Sequence, residues 1–568
     1  MKNVNKFYYS FSKKHFSKIF FYFFLNILNI LLEILGLTVF LFLISFLLNT
    51  GNDINFLNIH IPKENYFSVL IISVLVIYSL KLIFHIYYLY YEKKIQIIMS
   101  ESLFLELMQK YLFIDYERSS KDNSIIKLRY LTAEIQSAVS YILGHLIITA
   151  ETLYVLGILI FLLSKYFLIT IFVLVTLIFF STIYYSLFKK KIISYSKSII
   201  LNDNELHKKI IQSIHGLNEI KIYNLEKYFF GKTKKLLEII NKLRLTISLI
   251  SSIPRYYFEL IILLIIVSII FILKSVIGYE NNQITEILAV LSICLLRSLP
   301  SFSKILSGFQ NINNLKPSAI VIMKQLEESS NNYFLEEKVD YKEEDNNFEK
   351  IELIDVFYKY DKLEKYVLEN VNLKIQSGEL IGIYGATGSG KSTLINILCG
   401  LIKPTIGDYK INSSLTERVP KDLFSIVPQK PLIIDGTIKA NIAFGVEDSD
   451  VDESRLYKVL EKCELKNFID KLPNGVNTVI SENGKNISGG QSQRLAIARA
   501  IYLKKRILIM DEATNSLDEK TEKSILNFII NLKNELTIIM ISHNMENLNS
   551  CDKIYKISDK KLQKGSLN

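Results

Sequence analysis

Gly385-Ala386-Thr387-Gly388-Ser389-Gly390-Lys391-Ser392-Thr393 stands between a strand-like apolar run, Leu380–Tyr384, and a helix-like run, Leu394–Cys399. Gly385, Gly388 and Gly390 let consecutive backbone amides turn toward phosphate oxygens at a helix amino terminus. Lys391 is placed to reach the β- and γ-phosphates of a nucleotide, and the Ser392 hydroxyl to ligate Mg²⁺. The strand before and the helix after make this a phosphate-binding loop and not a chance glycine-rich turn. The region around it reads as an α/β nucleotide-hydrolysing domain.

Working outward, about 120 residues further on, Ile507-Leu508-Ile509-Met510-Asp511-Glu512 reads as a buried strand with two carboxylates at its carboxyl end. Asp511 suits the Mg²⁺ shell, and Glu512 suits polarising an attacking water. Alone, such a run is only a strand terminus; its position after the loop gives it weight.

Ile487-Ser488-Gly489-Gly490-Gln491, just before the helix-like Ser492–Ala500, resembles the signature of ATP-binding cassette (ABC) transporters. That resemblance implies roles for further residues. Thr393 falls within the nucleotide-binding loop. Tyr360 looks like the aromatic that stacks on adenine, and Gln429 resembles the Q-loop glutamine, close to both Mg²⁺ and the attacking water. Ser516-Leu517-Asp518 resembles the D-loop and His543 the switch histidine. Ser488, Gly489, Gly490 and Gln491 would face the γ-phosphate of ATP held by the other cassette, so a homodimer with two equivalent sites is implied. Ile487, Asn515, Ser516 and Asn544 depart from the common pattern without removing a catalytic group.

The 568 residues carry a net charge of +11, with 50% apolar, 12% aromatic and 22% charged residues. This composition excludes a disordered polar chain and a disulfide-stapled scaffold. The four cysteines are isolated and suit a reducing setting. Apolar residues concentrate before residue 310, in six runs at Ile19–Leu48, Tyr66–Tyr91, Glu134–Ser164, Phe167–Phe188, Thr246–Leu273 and Glu286–Gln310. Each reaches the ~20 residues a membrane helix needs. The first is too long for a cleaved signal peptide.

Charge asymmetry orients the bundle. Segment 189–245 carries thirteen Lys or Arg against five Asp or Glu, whereas the outer connections hold only Lys63, Lys165 and Lys274. Both termini are therefore expected in the cytoplasm of a bacterial inner-membrane protein. The basicity is a topology signal, not a sign of nucleic-acid binding. Segments 92–133 and 189–245 are longer than bundle loops and show three- and four-residue apolar spacing. They predict helices continuing beyond the bilayer and turning near Asp115–Lys121 and His215–Asn224, where the family's coupling helices transmit cassette closure. The acidic stretch 326–350 reads as a linker. The expected architecture is an all-α six-span domain (1–325), that linker, and an α/β nucleotide-binding domain (351–568). Six spans before one cassette is the layout of an exporter half-transporter, an ATP hydrolase coupled to transport.

Ionisable residues inside spans cost about 2.5–3.5 kcal/mol each on insertion scales and face interiors or cavities. Lys81, Arg255, Arg297 and Lys304 outnumber Glu33, Glu151 and Glu259. In one reading these cations face a cavity that takes an anionic headgroup, Arg255 binding phosphate oxygens bidentately. In the other they pair internally, Arg255 with Glu259 at i,i+4, while Lys304 snorkels. Ile253-Pro254-Arg255-Tyr256-Tyr257-Phe258-Glu259 and Leu296-Arg297-Ser298-Leu299-Pro300 look like the fifth and sixth spans of bacterial lipid-linked oligosaccharide flippases. Lys81 also falls where those relatives tend to carry a basic residue. This narrower resemblance implies a polyprenyl-pyrophosphate glycan as cargo, used in protein glycosylation, and a short surface helix within Gly51–Asn65. General lipid, multidrug and peptide export are the alternatives.

Overall fold

The computed structural model describes residues 13–48, 66–114, 116–119, 124–279, 281–330, 348–360, 365–416, 419–481, 486–514, 517–543 and 545–565. The chain divides into two units, Met1–Ile114 with Ser120–Leu335, and Asp115–Ser119 with Glu336–Asn568. The surface helix expected within 51–65 lies outside the described residues. So do most of the 326–350 linker and Asn515, Ser516 and Asn544.

All six apolar runs form helices long and apolar enough to cross a membrane. Span 1 is Phe16–Leu48, span 2 Tyr66–Phe113, span 3 Ile135–Lys165, span 4 Phe167–His215, span 5 Glu226–Phe271 and span 6 Asn281–Ser330. Spans 2, 4, 5 and 6 have 48, 49, 46 and 50 residues, about twice what a bilayer requires. Short helices at Tyr116–Ser119 and Leu217–Ile222 occupy the two turns. A π-helical turn, Tyr130–Glu134, leads into span 3, and another, Ile272–Ile277, follows span 5.

Lipid offers helices little hydrophobic drive to associate, so close packing at small residues and cross-helix hydrogen bonds must hold the bundle. Spans 3 and 6 meet reciprocally. A Cβ on Gly308 would lie 2.8 Å from Ile148, and one on Gly144 would lie 3.0 Å from Ile312. Spans 4 and 5 are joined by two tyrosines. Pro254 lacks an N–H and so frees the Ile250 carbonyl one turn back. The Tyr184 hydroxyl of span 4 donates to that carbonyl at 2.7 Å, and Tyr257 of span 5 donates to Phe180 O at 3.1 Å.

The second unit is built on a six-stranded sheet in the order β12-β11-β3-β10-β9-β6. Its parallel strands are β3 (Leu380–Gly385), β6 (Phe424–Val427), β9 (Ile507–Asp511), β10 (Thr537–Ile541) and β11 (Lys553–Ser558); β12 (Lys561–Lys564) is an antiparallel edge. Strands β9 and β10 are buried almost throughout, as a sheet covered on both faces demands. On one face pack α1 (Lys391–Leu398) and an antiparallel sheet containing β1 (Lys350–Tyr358), β2 (Leu368–Gln376), β4 (Ile406–Ile411) and β5 (Ser414–Leu415). On the other lie α2 (Ile438–Ile442), α3 (Glu453–Lys462), α4 (Lys466–Ile469), α5 (Gly489–Tyr502) and α6 (Glu519–Asn531), with the ribbon β7 (Gly436–Thr437) and β8 (Val479–Ile480).

Candidate nucleotide site and membrane charge cluster

Parallel strands β3, β6, β9 and β10 end level with one another: Ile541 is in register with both Asp511 and Ile383, and Val427 with Met510. Each carboxyl end carries a residue singled out in the sequence. The phosphate loop follows β3, Gln429 lies two residues past β6, Asp511 closes β9 and His543 follows β10. Ligands of open α/β sheets bind at this edge.

Gln429 Nε2 donates to Glu512 Oε2 at 2.7 Å, and His543 Nδ1 lies 2.8 Å from Glu512 Oε1. Both oxygens of the buried Glu512 are thereby aimed, and its backbone sits at a positive φ of 51°. Burial and then the neighbouring Glu512 push the Asp511 carboxyl above the usual range, against the pull of Lys391. Two adjacent carboxylates at a strand end fit a divalent cation.

The loop itself fits a polyphosphate. Gly388 and Gly390 have φ of 81° and 106°, and a Cβ on Gly385 would lie 2.6 Å from Ile557 O. Ser389 Oγ is buried without a hydrogen-bond partner, and Lys391 Nζ donates to the Gly385 and Ala386 carbonyls at 2.6 and 3.1 Å. A phosphate would give both groups better partners. Ser392 is exposed beside them, while Thr393 is buried and accepts or donates a 3.2 Å hydrogen bond with the Tyr360 hydroxyl. Tyr360 also packs edge-on to Tyr358, so both its ring and its hydroxyl are engaged within the unit.

The signature residues have local work too. Ser488 caps α5 in a capping box, accepting from Gln491 N while the Gln491 side chain accepts from Ser488 N. Gly489 and Gly490 form the first turn of that helix. Asp518 caps α6 by accepting from Thr521 N at 3.0 Å, which holds its carboxyl below the usual range.

In the membrane unit, Lys81 of span 2 and Arg297 of span 6 both pair with Glu33 of span 1, Arg297 at 3.4 Å; Glu33 is only 2% exposed. The same two cations stand over the Tyr78 ring. Lys304 pairs with Glu151 of span 3 at 2.6 Å. Neighbouring spans thus supply partners that i,i+4 spacing cannot show. Arg255 and Glu259 are both exposed in the single chain, and no ion pair joins them among the described residues. Pro254, Tyr257 and Phe258 of the same heptapeptide are packing residues. Sequence reasoning missed Tyr78 and Glu92, which share one face of span 2 with Lys81, His85 and Tyr88; the 78, 81, 85, 88, 92 spacing was the available signal.

Residues 368–515 match the family model described as ABC transporter. The chain is 36% identical over 204 residues to an ATP-dependent lipid A-core flippase of Ralstonia nicotianae, covering 35% of this chain and 34% of that protein. It is 38% identical over 192 residues to a putative export ATP-binding/permease protein of Rickettsia bellii, covering 33% of each. The matched stretches thus span about a third of these relatives. A solved bacterial Atm1-family ABC exporter with ATP bound superposes with a TM-score of 0.75 at 17% identity, covering 98% of this chain and 95% of that one. Six membrane-length helices followed by an ABC nucleotide-binding domain give this chain the fold of an ABC exporter.

Proposed function

We propose that the chain is a half-transporter which, as a homodimer, uses ATP hydrolysis to flip or export an amphipathic anionic lipid across a bacterial inner membrane. The carrying observation is Glu512, held by Gln429 and His543 at a strand end level with the phosphate loop. Lys391 exchanges the loop carbonyls for phosphate oxygens, and loop amides from Gly388 to Thr393 orient the polyphosphate. Ser392, Asp511 and Gln429 would hold Mg²⁺, which when bound neutralises charge on the transferred phosphoryl group. Glu512 accepts a proton from the attacking water, and His543 keeps that carboxylate aimed. Ser488, Gly489, Gly490 and Gln491, with Asp518, serve the ATP of the second copy, and Tyr360 leaves Thr393 to meet the adenine.

Lys81, Arg255, Arg297 and Lys304 against Glu33, Glu151 and Glu259 favour an anionic headgroup. A polyprenyl-pyrophosphate-linked oligosaccharide is the cargo that best suits this excess together with the span 5 and span 6 motifs. A different lipid is the second reading, favoured by relatives named lipid A-core flippases. The test is ATP-dependent translocation of a polyprenyl-pyrophosphate oligosaccharide in proteoliposomes, with Glu512→Gln as control. Wild-type-only flipping is the expected result; robust ATP hydrolysis without flipping would move the cargo to another lipid.

A further inference from the structure

Span 2 carries Tyr78, Lys81, His85, Tyr88 and Glu92 at alternating three- and four-residue spacing, one face of a helix whose other face (Leu82, Ile83, Ile86, Leu89) is exposed. His85 sits in the middle of this stripe, its ring stacked on Tyr88 at 5.9 Å, and Tyr88 hydrogen-bonds Tyr22 of span 1 at 2.7 Å. The charges within its electrostatic reach come from four spans: Lys81 beside it, Glu33 of span 1, Glu151 of span 3 and Lys304 of span 6. Those four charges form two ion pairs, Lys81–Glu33 and Lys304–Glu151, the first of which Arg297 completes. Further along the stripe Glu92 is matched by Lys93 at 3.9 Å.

The balance is informative. Lys81, Lys93, Arg297 and Lys304 exceed Glu33, Glu92 and Glu151 by one positive charge, and imidazole is the side chain whose charge changes near neutral pH. A protonated His85 raises the excess to two, matching the two negative charges of a pyrophosphate diester. Span 1 adds a second observation. Asn26 and Asn29 share the helix face of Glu33, are 3% and 7% exposed, and leave Asn26 Nδ2 and Asn29 Oδ1 without partners. Unpaired buried polar atoms beside a charge cluster ask for a polar occupant.

We propose that His85 is a proton-linked element of the anion site, taking up one proton as a dianionic pyrophosphate lipid enters and releasing it as the lipid leaves. This rests on the flippase reading above and adds the regulation of that site. The experiment is the half-saturating concentration of a polyprenyl-pyrophosphate monosaccharide for stimulating ATP hydrolysis, in full-length protein reconstituted in phosphatidylethanolamine–phosphatidylglycerol liposomes. It is read from about pH 6 to about pH 8 for wild type, His85→Gln and His85→Lys. One linked proton raises the wild-type value by up to about tenfold per pH unit. His85→Gln should be flat and weak, and His85→Lys flat and close to the wild-type value in acid. Parallel profiles in all three proteins would overturn the inference while leaving the flippase reading intact. If one variant does not fold, the other still decides between a flattened and a parallel profile. No stimulation of wild type at any pH, beside robust ATP hydrolysis, would overturn the pyrophosphate cargo and the inference with it.

Discussion

Glu512 shows how a single carboxylate can be committed by its neighbours. Both of its oxygens are engaged, by Gln429 and His543, so its orientation is set before any water arrives. Glu512→Gln keeps the shape but removes the proton acceptor. It should retain ATP while turnover falls at least about 100-fold, read by comparing nucleotide binding with phosphate release. Asp511 presents the opposite case, a carboxyl whose ionised form is disfavoured by burial and by Glu512. With its titration raised above the ordinary range near ~3.9, the stability it lends the nucleotide-free state is present in acid and is lost as pH rises through the raised value. Asp511→Asn should therefore slow amide hydrogen exchange of β9 and β10 at neutral pH without nucleotide, and remove the further protection that Mg·ATP brings. An unchanged exchange rate would contradict this account.

At the scale of elements, the membrane helices are joined where one backbone or side chain leaves room or need for another. Tyr184→Phe would leave the carbonyl freed by Pro254 without its donor. A loss of about 1 kcal/mol, typical of cross-helix hydrogen bonds in membranes, should appear as a lower thermal inactivation temperature. Gly308→Ala forces a Cβ onto Ile148 and should cost about 1–3 kcal/mol by overpacking. Adding Ile148→Ala should cost less than the sum of the two single changes, because the cavity and the intruding methyl coincide; strict additivity would place the two residues apart. Both contacts join segments more than 60 residues apart, which is why neither could be read from helical periodicity. Periodicity did mark the helices themselves: the 3–4 spacing within segments 92–133 and 189–245 belongs to spans 2, 4 and 5, which have 46 to 49 residues.

For the whole molecule, the proposed homodimer can be tested with the cysteines the chain already has. Burial pushes the thiols of Cys399, Cys463 and Cys551 up to about 12, and Cys294 is buried in the bundle. The thiolate is the reactive form, so the native chain should label slowly with a maleimide near neutral pH and provide a quiet background. In it, a cysteine placed by Ser488→Cys, exposed in the single chain, should label readily without nucleotide and be protected when ATP is added to the Glu512→Gln protein, because the ATP and phosphate loop of the second copy then cover it. Equal labelling with and without ATP would defeat the closed-dimer reading.

Sequence alone determined the six spans, the strand–loop–helix around Lys391, the strand ending in Asp511 and Glu512, and the fold these compose. Those features are written in short-range patterns, namely apolar run length, helical period, glycine spacing and the order of motifs. Only the tertiary structure decided the partners. Glu33 takes Lys81 and Arg297, Glu151 takes Lys304, and Glu512 takes Gln429 and His543, all across elements far apart in the chain. Arg255–Glu259 illustrates the limit, for helical spacing allowed an ion pair and yet both side chains lie exposed with no ion pair between them among the described residues. Charge pairing depends on which helix faces meet, and that is settled by packing over the whole bundle.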